Sequence, residues 1–79
     1  MNLPIEHSEG SALGADVGTP ILISGIRATS TILAVVTRPL STGGPGTGRD
    51  PAAFTPAAGA ISSGTIDTAG LTVHCVWQG

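Results

Sequence analysis

Gly43-Gly44-Pro45-Gly46-Thr47-Gly48-Arg49-Asp50 has the glycine spacing of a phosphate-cradling loop, G-x-x-x-x-G-K-[ST]. Such a loop works because a lysine reaches the β- and γ-phosphates and a hydroxyl holds Mg²⁺. Arg49 and Asp50 stand at those two positions, and Asp50 would set a carboxylate against phosphate. Pro56 stops any long helix that could offer its N-terminus to the anion. A chain of 79 residues is also too short for several βαβ units. The stretch therefore reads as a flexible loop that binds no nucleotide.

Metal and nucleophile chemistry meet similar obstacles. His7 and His74 are the only histidines, and Cys75 directly follows His74. Adjacent strand residues point to opposite faces, which separates these two as ligands of one metal. His74 is expected to be an exposed or half-buried strand residue, and Cys75 a small core residue. No serine sits in a Gly-x-Ser-x-Gly elbow with an evident base and orienting acid. Glu6, Glu9 and Asp16 could surround a cation, but their stretch has little apolar content to hold them, so a solvated acidic arm is expected. Trp77 reads as a core plug in preference to an interface anchor. No catalytic, cofactor-binding or metal-binding residue is assigned, and the chain is expected not to be an enzyme.

Composition narrows the partners. Charged residues make up 10%, lysine is absent, and the three arginines are scattered at 27, 38 and 49. Nucleic-acid binding needs a basic footprint that competes with salt for phosphates, and the net charge here is −2. Apolar runs are broken by Ser, Gly, Thr and Arg well short of the roughly 20 residues of a membrane span. The N-terminal residues lack a basic region followed by an apolar one, so a secretory signal is not expected. One cysteine excludes an intramolecular disulfide. With one Phe, one Trp and no Tyr, a single small domain has few large side chains to fill its core. Partner contacts are then expected to matter to its stability.

The elements that must position these residues are strands. Pro20–Ile26 and Thr31–Arg38 are short, rich in Ile, Leu, Val and Thr, and bounded by turn residues. They read as adjacent strands joined through Arg27–Ser30, with Ile21 and Ile23 on one face and Leu22, Ser24 and Ile26 on the other. Gly25 marks a bulge or a close backbone approach. Leu71–Trp77 has the clearest period-two pattern, with Leu71, Val73, Cys75 and Trp77 on one face. Short extended segments are expected around Ala60–Ser62 and Gly64–Ile66. A turn is expected at Asp67–Gly70, with positive φ at Gly70. Asp50 and Pro51 predict a capped helical turn that places Phe54 at the bottom of the core. Residues 1–18 read as an extended arm of weak strand character, with Ser11–Leu13 able to form a short edge strand. Residues 19–79 read as the domain. The fold expected is all-β, a small antiparallel sandwich or barrel with an N-terminal arm and one short helical turn.

Gly25-Ile26-Arg27-Ala28-Thr29-Ser30-Thr31-Ile32-Leu33-Ala34-Val35-Val36 resembles the first hairpin of small virion proteins of tailed bacteriophages. The likeness extends to Asp50–Phe54, Gly64–Gly70 and Leu71–Val73. It covers most of Pro20–Trp77 through short motifs of common residues. Ser30 stands where those sequences usually carry an acidic residue, and the glycine-rich loop is a second departure. The resemblance implies a β-rich head decoration, or cement, protein on the outside of the major capsid shell. It would be made in the host cytoplasm and carried in the virion, with the major capsid protein as partner and a homo-oligomer, such as a trimer, on the shell. A tail or head–tail connector component and a small-molecule-binding β-barrel are the alternatives. No cofactor, nucleic acid or membrane is expected as a partner. Residues 1–18 and 40–49 lack the apolar periodicity that burial in their own domain would need. Glu6, His7, Glu9, Leu13, Leu40, Pro45 and Arg49 are therefore the expected interface residues.

Overall fold

A computed structural model of the chain describes residues 7–41 and 44–79. In chain order the strands are β1 (Ser8–Leu13), β2 (Ile21–Leu22), β3 (Thr31–Pro39), β4 (Thr47–Arg49), β5 (Thr55–Ala57), β6 (Ala60–Ser62) and β7 (Leu71–Gln78). They form two antiparallel sheets, β1-β7-β3-β4 and β2-β6-β5, so the chain is an all-β sandwich. A 3-10 turn at Pro51–Ala53 lies on the crossing from β4 to β5.

The pair β3 and β7 is the spine. Their register runs from Thr31 opposite Gln78 to Pro39 opposite Leu71. A shift between Ile32 and Ala34 leaves Leu33 as an extra, exposed residue. Beyond it, Val35 and Thr37 face inward with Val73, Cys75 and Trp77, as the period-two pattern of β7 predicts. Ile21, Ile23, Phe54 and Ile61 cover them from the other side. Burying a Val, Ile or Phe side chain contributes about 1.5–3 kcal/mol, so this inner layer is the main favourable term.

The segment expected as a first core strand is different in kind. Only Ile21 and Leu22 pair, with Ile61 and Ala60, in the smaller sheet, so this run and β3 are not neighbours. The reason lies in the spacing of the isoleucines. Ile21, Ile23 and Ile26 are all buried, and a strand cannot turn positions two and then three apart to the same side. A turn closed by Ile26 N–H donating to Ile23 C=O brings Ile26 back inward, with Gly25 at φ 94°. Ile23 and Ile26 both then bond the backbone of Gly59. A second turn follows at Arg27–Ser30. The Ser30 hydroxyl accepts from Arg27 N–H at 3.0 Å and donates to Gly79 C=O at 2.9 Å. An ionised carboxylate there could accept but not donate, which accounts for a hydroxyl at this position.

Three further segments differ from expectation. Residues 64–66 form no strand, with a bend at 64–65, because Ser63 Oγ takes the N–H groups of Thr65 and Ile66 and so competes with a ladder. Thr47–Arg49, expected as loop, pairs with Val35–Thr37 as β4. Its pairing is supported by Arg49 Nε, which donates to the buried Thr37 hydroxyl at 3.0 Å. The expected arm is, over Ser8–Leu13, an edge strand paired along β7. Its exit is clamped by Thr68, fully buried, whose hydroxyl accepts from Ala15 N–H and donates to Ala15 C=O. The capped turn matches its signals. Asp50 Oδ1 accepts from Ala52 N–H at 2.9 Å, and Phe54 is buried. The turn before β7 also forms, with Gly70 at φ 79°.

Candidate functional site

The inner face of the larger sheet is filled, so its outer face is where side chains can meet another molecule. Alternation along β7 puts Thr72 and His74 there, opposite in sense to Val73 and Cys75. The register then sets their neighbours. Leu13, Thr72 and Arg38 form one row across β1, β7 and β3, and Ser11, His74 and Val36 form the next. Ser11, Val36, Arg38, Thr72 and His74 line a groove of about 350 Å³ on this face. Gly46, just before β4, lies beside it. A Cβ on Gly46 would come within 2.5 Å of Val36 Cγ1 and 3.2 Å of Arg38 Nε, so only glycine lets the backbone lie this close.

Ser11 Oγ lies 2.7 Å from His74 Nδ1, and Glu9 Oε1 lies 3.7 Å from His74 Nε2. The order serine, imidazole, carboxylate is that of a nucleophile, its base and an orienting acid. Here 3.7 Å exceeds hydrogen-bond reach, so Glu9 does not fix the ring's orientation. The side chains of His74 and Glu9 are 40% and 59% exposed, where water competes for both. The cluster works as a cross-strand polar contact that ties β1 to β7. His74 and Cys75 point to opposite sides of the sheet, and Cys75 is fully buried. Burial pushes the Cys75 thiol up to about 11. Among the described residues, no three His, Cys, Asp or Glu side chains gather around one point.

The residues expected at an interface are not on one surface. Glu6 lies outside the described residues, as do Thr42 and Gly43 of the glycine-rich loop. His7, Glu9, Leu13, Leu40 and Pro45 are exposed. Glu9 and Leu13 alternate with inward-facing Gly10 and Ala12, and so share the outer face with Ser11. Leu40 adjoins that end of the sheet, its N–H donating to Gly70 C=O. Arg49 is elsewhere. It sits opposite Val35 on the inward side of the far edge, half-buried against Thr37. Ser11, Val36, Arg38, Thr72 and His74 were not singled out as a group by their spacing. Parity alone places each on a face, but only the pairing of β1 with β7 brings them together. Comparison with family models, curated proteins and solved structures finds no match to this chain.

Proposed function

We propose that the chain is a non-enzymatic structural protein of a tailed-bacteriophage virion, a decoration (cement) protein bound to the outer surface of the major capsid shell. The observation that carries this reading is the row Leu13–Thr72–Arg38 on the outer face. Leu13 is 67% exposed, and Arg38 makes no ion pair among the described residues although it lines a groove. An aliphatic anchor beside an unpaired guanidinium is the chemistry of a protein interface, where Arg pairs with an acid of the partner as water leaves. The likeness of residues 25–36 and 64–73 to virion proteins supports the same partner.

In this reading the outer face and the β3–β4 loop bury surface across capsomer junctions. Binding that requires the assembled lattice stabilises that lattice by mass action. Neither nucleic acid nor membrane takes part. The space that a ligand-binding barrel keeps open is occupied here by Ile23, Ile61, Phe54 and Trp77, which weighs against a small-molecule carrier.

Quantitative mass spectrometry of purified particles, combined with their imaging, tests the proposal. Many copies spread over the head are expected, and Arg38→Glu should strip them from it. A single ring at a vertex would make the chain a head–tail connector component, and absence from particles would remove it from the virion altogether.

A further inference from the structure

The two sheets end in four edges, and three of them are guarded. The β2 edge is two residues long and follows Pro20, β5 carries Pro56 at its centre, and β4 is three residues long. Brevity and proline are the usual protections of an edge against pairing with another chain. The β1 edge has neither. It is six residues long, Ser-Glu-Gly-Ser-Ala-Leu, with no proline, no lysine and no bulge.

The backbone polarity of that edge follows from two bonds at the end of the sheet. Gly14 N–H donates to Leu71 C=O, and Leu40 N–H donates to Gly70 C=O. In an antiparallel ladder, bonded and non-bonded pairs alternate. Odd residues of β7 therefore bond β1, and even residues bond β3. On β1 the residues bonded to β7 are Ser8, Gly10 and Ala12. Glu9, Ser11 and Leu13 turn their N–H and C=O groups away from β7, toward the open edge. None of these groups has a partner among the described residues.

We infer that this edge pairs with the same edge of a second copy, in antiparallel register about a two-fold axis at Ser11. Only residues with outward groups can exchange bonds, which restricts the pairing to Glu9, Ser11 and Leu13. Centring on Ser11 pairs all three with one another, whereas centring on Gly10 or Ala12 pairs only two of them and sets Leu13 or Glu9 against a residue outside β1. Ser11 faces Ser11 of the second copy, Glu9 faces its Leu13, and Leu13 faces its Glu9. Centring on Glu9 would set two carboxylates directly opposite each other, and centring on Leu13 would leave Glu9 without a strand partner. The chosen register keeps like charges apart and joins the two larger sheets into one, four strands from each copy. Directly paired residues share a face, so the two outer grooves come to lie on one surface and the Ser11–His74 contacts line up across the axis. The inference stands apart from the capsid reading, since it needs only the edge and its bond pattern.

The test uses the whole chain. Sedimentation equilibrium at about 200 μM, above micromolar dissociation constants, should give twice the 7.7 kDa monomer mass. Ser11→Pro removes one outward N–H per copy while leaving the bonds to β7, and should weaken association about tenfold or more. Ser11→Cys should form an intermolecular disulfide readily, because a bonded pair has Cα atoms about 5.5 Å apart, within disulfide range. Glu9→Cys and Leu13→Cys, each about 13 Å from its own copy across the axis, should cross-link only when the two variants are mixed. Circular dichroism confirms that each variant keeps the fold. A monomer at that concentration overturns the inference, even if the edge then captures a strand of a capsid protein. So does a dimer indifferent to Ser11→Pro, or Glu9→Cys cross-linking to itself as fast as Ser11→Cys.

Discussion

The two faces of β7 come from one alternating strand and have opposite roles. On one side Val73, Cys75 and Trp77 are each at most 3% exposed and meet the smaller sheet. On the other, Thr72, His74 and Val76 are half-buried, held by side-chain contacts within their own sheet and covered by no second layer among the described residues. Hydrophobic burial scales with area removed from water, so the inner face should hold nearly all the folding free energy that this strand contributes. The outer face is then available to recognise another molecule without loss of the fold. The contrast says where substitutions should unfold the protein and where they should only disarm it.

The sharpest way to break the contrast is at Trp77. Its ring packs within about 3.6 Å of where side chains on Gly10 and Gly25 would begin, so two backbones close over it. Trp77→Ala leaves a cavity that those backbones cannot fill, and should cost about 3–5 kcal/mol in urea unfolding. For a domain of this size that is a large share of the total, and the variant is expected to be largely unfolded at 37 °C. A loss below about 1 kcal/mol would show that the inner face is not the core.

Thr68 tests how the edge strand is held to the core. Thr68→Val keeps the volume but removes the hydroxyl that both accepts from and donates to Ala15. The orphaned Ala15 N–H should cost about 1–3 kcal/mol, and hydrogen exchange should rise first along β1. Uniform exchange across β1 and β3 would mean that β1 does not open as a unit.

Cys75 gives the inner face a pH signature. Its folded thiol is raised to about 11 by burial, above its ordinary value of 9.0. Between those values the unfolded chain loses the proton and the folded chain keeps it, so stability is full below about 9 and falls as pH rises toward 11. The loss should be on the order of 2 kcal/mol across that window, and absent in Cys75→Ala. At neutral pH the thiol should resist alkylating reagents until the chain unfolds. Rapid native-state alkylation would place Cys75 at the surface.

What was legible in the sequence follows the same division. The inner face of β7 was readable because one strand's alternation needs no partner to be interpreted, and the Asp50–Phe54 turn was readable because its signals are local. Ile21, Ile23 and Ile26 misled because three apolar residues suit a strand by composition, while their spacing requires a turn. β4 was missed because glycine and arginine have little strand preference of their own. Its pairing is a tertiary effect of the neighbouring β3. The groove was illegible for a deeper reason. Ser11 and His74 are 63 residues apart, and no local pattern reveals which strands will be neighbours. Even Glu9 and Leu13, expected as interface residues and exposed in the structure, take their neighbours only from the register that aligns them with Val76 and Thr72.

The smallest expected effect tests the outer face itself. Ser11 and His74 make the shortest side-chain contact on that face, at 2.7 Å, yet the contact is exposed to water. Exchange of a protein partner for solvent makes an exposed hydrogen bond worth about 0.5–1 kcal/mol at most. Ser11→Ala and His74→Ala should each change stability by about that amount or less. A double-mutant cycle isolates the term, because the two residues face each other directly and share no buried partner. The coupling should be below about 1 kcal/mol, against several for the loss of Trp77. Attachment to particles, in contrast, should respond to the same substitutions if the proposed capsid partner fills the groove that they reshape. If the cycle instead returned 2 kcal/mol or more, the outer face would be part of what folds the sheet. Its polar residues would then be explained by stability, and the case for a docking surface there would lose its main physical support.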